Sequence, residues 1–560
     1  MTTPPLPGPS AARPFEPGRF HPLATAAAAF FFLNALMSVE ISFPHVRWGS
    51  LLRLSPECLV LLLAMVVLAS TGRRLRSVVL ALLTSALVFL KLFDAADRLV
   101  PMIFNRDFNL FMDSQRLPDL ILLFWLTRPP EQVLLGVGVT LAAIAALVWG
   151  VGRALQRLHQ GLTHGMPFPW RWRRRVAAAG ISAALLAAAC LQPAILGPAV
   201  LPRVAAEARF ILNLSDIRAK HESITEKAME RARQTGADLK KLARASVLLV
   251  VVESYGMSAF SDPRHAPTVL PAVETAEAEL QAAGFAMCSA YLTAPTFGGG
   301  SWLSHATLAS GIRIDSQIGH DLLLRSRLQP LADYFNRAGR RTVCVMPGTF
   351  WPWPEGRFYR FAQTFIAPDM GYRGPAFGFA PMPDQFVLDW VARRLLRAAP
   401  APLFIEIVLT GSHAAFDIQA PIVGDWDHIG DGSIFYTLSP QTYPFGWTEL
   451  SEASPAYSAA IAQEIRLLQE FIRRFVNGTD LVIIVGDHQP PVELIGHDQP
   501  WSVPVHVVSG TPDFIREFVR RGYTPGLVPM QPLPHPGLET LFWDLVAGFS
   551  SGSDNAGRGG

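Results

Sequence analysis

Long apolar runs dominate the first two hundred residues of the chain, whereas short apolar strings alternating with amphipathic stretches make up the rest. A helix needs roughly 20 apolar residues to cross a hydrocarbon layer about 30 Å thick. Runs near Leu23 to Phe43, Ser55 to Ser70, Ser77 to Leu92, Val133 to Val151 and Val176 to Leu196 therefore predict five spans. The second and third are short and end at Glu57 and Lys91, so a tilted or re-entrant hairpin is an alternative there. The stretch from Asp94 to Arg128 mixes aromatic and charged residues as an interfacial helix does. Residues 1–200 are thus read as a five-helix transmembrane domain, and 201–244 as a charged helical connector.

From residue 245 to 548 the period changes. SVLLVVVES, RTVCVMPG, PLFIEIVLTGSH and DLVIIVGDH are continuous buried-strand runs, and LQPLADYFNRAG and YSAAIAQEIRLLQEFIRRF between them have helical spacing. Strands alternating with helices predict an α/β sandwich around a mostly parallel sheet. Residues 549–560, rich in Gly and Ser, predict a disordered tail.

Composition agrees with the membrane reading: 560 residues, 50% hydrophobic and 17% charged, with a mean hydropathy of +0.26, are too apolar for an ordinary soluble chain. The net charge of +3 and the absence of a long basic stripe argue against nucleic-acid binding. The basic residues follow topology instead. Arg13 with Arg19, Arg73 with Arg74 and Arg76, and Arg153 with Arg157 and the cluster Arg171, Arg173, Arg174 and Arg175 fall on one side if there are five spans. That side is cytoplasmic, which makes this a multi-pass protein of the cytoplasmic membrane with everything after Leu196 outside. The first run lacks a small-residue cleavage site, so it reads as an uncleaved anchor. Of four cysteines, Cys58 and Cys190 sit in apolar runs, and Cys288 and Cys344 are candidates to pair in the outer domain.

Chemistry concentrates where strands of a parallel sheet end. Glu253 follows VLLVVV and Asp487 with His488 follows LVIIVG. Two carboxylates and an imidazole suit zinc or manganese, although each acid taken alone could merely cap a helix. Ser301 follows three glycines and opens an apolar helical run. A helix N-terminus favours a phosphate oxyanion and a hydroxyl of lowered pKa, though a plain N-cap serine is the bland alternative.

These residues resemble a family: the order of Glu after the first strand, hydroxyl on a glycine turn, later histidine and late Asp-His is similar to the sulfatase-type branch of the alkaline phosphatase superfamily. Together with the five spans, the resemblance extends to the lipoteichoic acid synthases, phosphoethanolamine transferases and phosphoglycerol transferases. Ser301, Ser304, Ser310 and Gly311 fit the sulfatase signature frame, but Leu303 and His305 replace the Pro and Arg needed for formylglycine formation, which disfavours a sulfatase. The resemblance implies that Glu253, Ser301, Asp487 and His488 bind one divalent metal ion, with Ser301 the nucleophile of a covalent intermediate. It implies that His413 and His497 contact the transferred group, and it suggests the same for Arg357 beside Trp351 and Trp353. The implied reaction moves phosphoglycerol or phosphoethanolamine from a phospholipid donor to an envelope glycan or lipid acceptor. A phosphodiesterase or sulfuric-ester hydrolase of the same fold is the nearest alternative. A non-catalytic envelope sensor is a more distant one, and it predicts that the ligand set does not converge.

Overall fold

The computed structural model describes residues 21–42, 45–70, 75–104, 108–114, 117, 130–165, 195–235, 237–397, 402–444, 447–496 and 498–551. His497, Cys190, nearly all of the fifth apolar run, Arg13, Arg19, Arg73, Arg74, the arginine cluster at 171 to 175 and the tail beyond Ser551 lie outside these residues. The chain forms two compact units, Met1–Leu212 and Asn213–Gly560.

In the first unit, helices α1 (Pro22–Ser38), α2 (Pro56–Ser70) and α3 (Ser77–Phe104) pack against α4 (Pro130–Gly165). Leu33, Met37, Met65, Phe93, Val151 and Leu155 fill the space between them. Two helical stretches among the described residues, Ser77–Pro101 and Glu131–His164, are long and apolar enough to cross a membrane. Helices α1 and α2, at 17 and 15 residues, are shorter, so of the four expected spans that fall among the described residues two reach the length that crossing requires. The first stops early for a polar reason. Asn34 Nδ2 and Ser38 Oγ both donate to the Arg53 carbonyl at 2.9 Å, and the chain turns into a short antiparallel pair, β1 (Glu40–Ser42) with β2 (His45–Arg47). The third runs on past its expected end, so the expected interfacial segment begins as the continuation of α3. The charges that bracket the short runs are paired. Glu57 accepts from the backbone of Val200 and Leu201, at the start of α5 (Leu201–Leu212), and Lys91 bonds Asp94 and the Val39 carbonyl.

The second unit is an α/β sandwich. Helix α6 (Leu214–Thr235) leads into β3 (Val247–Val252), β4 (Ala286–Thr293), β5 (Arg341–Met346), β6 (Gln363–Ile366) and β7 (Leu403–Leu409). After a small ribbon of β8 (Ile418–Gln419) and β9 (Gln441–Thr442) come β10 (Leu481–Gly486), β11 (Ser502–Ser509) and β12 (Thr524–Pro525). The main sheet has the order β12-β4-β11-β10-β3-β7-β5-β6. Strands β10, β3, β7, β5 and β6 run parallel, and β11, β4 and β12 extend the sheet by antiparallel pairing. The central strands are buried on both faces, which is why they read as unbroken Val, Ile and Leu runs.

One face is covered by α7 (Ala266–Ala282) and an amphipathic helix at Ser454–Phe475. The other is covered by α8 (Ser301–Ser310), the helix at Thr540–Gly548 and α6, whose Arg231 lies 4.2 Å from the centre of the Trp543 ring. Phe549 and Ser550, at the start of the expected tail, are buried, and the Phe549 carbonyl accepts from Lys241 N. Cys288 and Cys344 do not pair: both are free and buried, on β4 and β5. Four strands stand between β4 and β5. At about 4.8 Å per strand, that separation is far beyond the roughly 7 Å limit between bridged Cα atoms.

Register levels the chemistry. Val252 pairs with Gly486 on one side and with Leu409 on the other, so the residues that follow, Glu253, Asp487 and Thr410, leave the sheet together. The two outer loops interlock through glycines. A Cβ on Gly486 would overlap the Tyr255 carbonyl oxygen, and one on Gly256 would overlap the Gln489 side chain and crowd its Cα. Gly486→Ala is therefore expected to lower stability by at least about 1–3 kcal/mol, as overpacking does. Gly478→Ala, where an added Cβ meets nothing within 4 Å, should change it by less than about 0.5 kcal/mol. Denaturant unfolding of the two purified variants checks this, and equal stabilities would remove the close approach as a constraint.

Candidate active site

Glu253 leaves β3 and Asp487 and His488 leave β10, and the potential ligand atoms of all three lie within 4.8 Å of one another. Ser301 reaches the same point from the opposite wall. Gly298, Gly299 and Gly300 all take positive φ (66°, 146° and 76°), a path open to residues without a Cβ. Gly298 N donates to the Gln489 carbonyl at 3.0 Å, which ties this turn to the Asp487 loop. Helix α8 then begins at Ser301, whose Oγ lies 3.2 Å from Glu253 Oε2 and 3.1 Å from His488 Nε2.

These side chains are oriented by backbone groups of the two loops. Asp487 Oδ1 accepts from the N–H groups of Ser254 at 2.8 Å and His488 at 2.7 Å. His488 Nδ1 bonds the Gln489 carbonyl at 2.7 Å; a carbonyl only accepts, so Nδ1 carries the proton and Nε2 faces the cluster. Nε2 lies 3.2 Å from Glu253 Oε1 and 3.4 Å from Asp487 Oδ2. All three residues are buried.

Packing this much charge together shifts each group. Burial pushes the Glu253 carboxyl up, but its bond to His488 and the charges of His488 and His413 outweigh this and bring it below the ordinary carboxylate range. Burial and the neighbouring Glu253 charge raise the Asp487 carboxyl. Burial works against a charged His488, yet the two carboxylates prevail and raise its pKa. Asp487 Oδ2 is buried with no hydrogen-bond partner. A carboxylate oxygen of Glu253, the orphaned Oδ2 of Asp487 and an imidazole nitrogen with its second nitrogen fixed fit one divalent cation bound through nitrogen and oxygen, as zinc or manganese is.

His413 stands at the edge of this cluster. The turn that carries it is pinned by Ser412 Oγ, which donates to the Glu253 carbonyl at 2.6 Å, and its ring stacks on exposed Phe379 with centroids 3.6 Å apart. Arg357 lies on a short helix after β5, exposed, and makes no bond to the cluster among the described residues. Trp353 packs on Tyr359 at 4.7 Å against the core.

Several supporting contacts did not emerge from the sequence, although Ser304 stood in the signature frame. Ser254 donates its N–H to Asp487, Ser304 Oγ donates to the Asp487 carbonyl at 2.6 Å, and Glu406 receives His305 Nδ1 at 3.2 Å. Glu406 carried a usable signal, a lone acid inside the buried run LFIEIVL.

No protein-family model matches the chain, and no curated protein matches it. Among solved structures it is similar to the lipoteichoic acid synthase LtaP from Listeria monocytogenes, at 12% identity and a TM-score of 0.36 over 54% of this chain and 72% of that one. It is similar to the phosphoglycerol transferase GacH from Streptococcus pyogenes, at 12% identity and a TM-score of 0.35 over 59% and 92%. It is also similar to the periplasmic domain of the phosphoethanolamine transferase EptC from Campylobacter jejuni, at 14% identity and a TM-score of 0.37 over 56% and 92%. At such identities and scores the functions of those proteins do not carry over to this chain, and the site's own geometry carries the functional reading.

If Asp487 is a ligand, Asp487→Asn should weaken zinc binding by more than about 100-fold, beyond the 10- to 100-fold that outer partners control. His413→Ala should leave zinc binding within about tenfold of wild type by the same scale. Competition with a chromogenic chelator measures both, and an unchanged affinity in Asp487→Asn would remove it from the centre.

Proposed function

We propose that this chain is a membrane-anchored, metal-dependent transferase. It passes a phospholipid head-group phosphate ester, phosphoglycerol or phosphoethanolamine, through a covalent Ser301 intermediate to an envelope glycan or lipid. The observation that carries this reading is the position of Ser301 Oγ, at a helix N-terminus and within 3.4 Å of both Glu253 carboxylate oxygens and of His488 Nε2. A hydroxyl placed to share a cation with three ligands is an activated nucleophile. The convergence of the four residues also disfavours the non-catalytic sensor.

Glu253, Asp487, His488 and Ser301 would hold the ion, which supplies charge neutralisation to the serine oxygen and to the phosphoryl oxygens when bound. Ser301 Oγ gives up its proton and attacks phosphorus, the bond to the lipid alcohol oxygen breaks, and that oxygen takes a proton. An acceptor hydroxyl then gives up its proton and attacks the phosphodiester on Ser301, whose Oγ leaves and takes a proton. His413, at the edge of the cluster, is proposed to contact the transferred group, and an imidazole can both donate and accept a proton. His497 and Arg357 are proposed as further contacts on the family resemblance alone.

The apolar helices support the anchor. Leu134, Leu135, Val137, Val139, Leu141 and Trp149 of α4 are exposed, a surface suited to lipid. Tethering also sets the site beside a two-dimensional supply of head groups, raising their effective concentration. A hydrolase would use the same residues with water as the acceptor.

Full-length protein incubated with head-group-labelled phospholipid and rapidly quenched should carry label on the Ser301 peptide. Ser301→Ala should fall to background, whereas Ser301→Thr, which keeps a hydroxyl, should retain measurable turnover. An N-cap role alone would cost about 0.5–2 kcal/mol of stability with activity retained. Full activity in the alanine variant, or label elsewhere, would refute the covalent route. Label released as free head-group phosphate, with none on a glycan or lipid, would favour the hydrolase. For topology, a periplasmic reporter fused after Leu196 should be active and one at Arg74 silent; the opposite pattern would put the site on the wrong side.

A further inference from the structure

Glu406 occupies the middle of β7, between Leu249 of β3 and Cys344 of β5. It shares a sheet face with Phe404, two residues away, and Phe404 belongs to the apolar layer into which α8 packs. A carboxylate there is 5% exposed. Its Oε1 bonds His305 Nδ1 at 3.2 Å, and the His305 side chain is 12% exposed. A buried ion pair seldom stabilises a fold more than apolar side chains of the same volume would. Stability is therefore a poor reason for its presence, and its neighbours supply a better one.

His305 lies one helical turn after Ser301, on the same face of α8, and helical side chains lean toward the N-terminus. The preceding residue, Ser304, donates its hydroxyl to the Asp487 carbonyl at 2.6 Å. Two successive residues thus clip the helix that begins at Ser301 to two strands, the end of β10 and the middle of β7. The His305 ring is also within electrostatic reach of Asp487 and Glu253.

We propose that His305 and Glu406 form a positioning dyad that sets the depth of Ser301 at the metal centre. This rests on Ser301 being the nucleophile. Neither residue touches the reacting atoms; both act through α8 and the ligands. Small displacements matter here, since a shift of about 1 Å in a reacting group can cost about 100-fold in rate.

The test uses full-length protein in detergent, with bis(para-nitrophenyl) phosphate as a chromogenic diester and chelator competition for zinc. His305→Gln and Glu406→Gln should each lower kcat by about 10- to 100-fold with KM within about twofold, and weaken zinc binding by about tenfold or more, the scale of outer-shell partners. Breaking one side of a buried pair also destabilises the fold, so a second variant separates the effects. His305→Leu combined with Glu406→Met removes both charges and should recover the wild-type melting temperature. With the dyad in its proposed role, kcat and zinc affinity stay low in this double variant. A return of both to wild-type values, or single variants that turn over and bind zinc normally, would overturn the proposal. Failure of the nucleophile reading is distinguishable, because it would appear as turnover in Ser301→Ala.

Discussion

The close approach of two strand-end loops is the constraint on which the rest of the second unit depends. Parallel register brings Val252 and Gly486 level, but register alone leaves the following residues a full strand spacing apart, about 4.8 Å. The loops close further because neither Gly256 nor Gly486 carries a Cβ where they cross. Asp487 can then receive N–H groups from both loops at once, Ser254 from one and His488 from its own. The backbone thereby fixes the carboxylate before any substrate or ion is considered.

That arrangement concentrates charge. Glu253 is held low and Asp487 high, so two acids with similar ordinary values are driven apart by one environment. The unpartnered Asp487 Oδ2 is the same fact seen as geometry. Buried polar atoms are nearly always bonded, and an orphan pointing into a cluster of donors is what a cation site looks like from the protein side. Ser301 closes the cluster at a helix N-terminus, where the helix dipole favours an oxyanion.

Much of this was legible in the sequence because parallel strands advertise themselves. Unbroken apolar runs such as VLLVVV and LVIIVG are strands buried on both faces, and their first polar residues mark the edge where ligands gather. The glycine turn before Ser301 was legible for the same local reason. Long-range facts were not. The His305–Glu406 pair spans 101 residues, and nothing in either local pattern announces the other. The separation of Cys288 from Cys344 follows from strand order, which depends on the topology of the whole sheet. In the first unit, hydropathy located the helices but not their ends, because Asn34 and Ser38 end α1 through bonds to Arg53, a partner well along the chain.

Ser254 shows where the fold accepts strain for the site. It follows Glu253 directly and takes a left-handed φ of 55°, a region that non-glycine residues enter at a cost of about 1 kcal/mol or more. A glycine would take this conformation without strain, so the retained side chain calls for a reason. Its backbone is held from both ends: the N–H donates to Asp487 Oδ1 at 2.8 Å, and the carbonyl accepts from the buried Tyr457 hydroxyl at 3.0 Å. Its own hydroxyl approaches Glu253 Oε1 at 3.4 Å. The bonds made on both sides of Ser254 offset the strain. A glycine would keep the path but lose the hydroxyl and add backbone freedom at the residue beside a proposed ligand. The distortion is therefore best understood as the local consequence of needing Glu253 and Asp487 oriented toward one point.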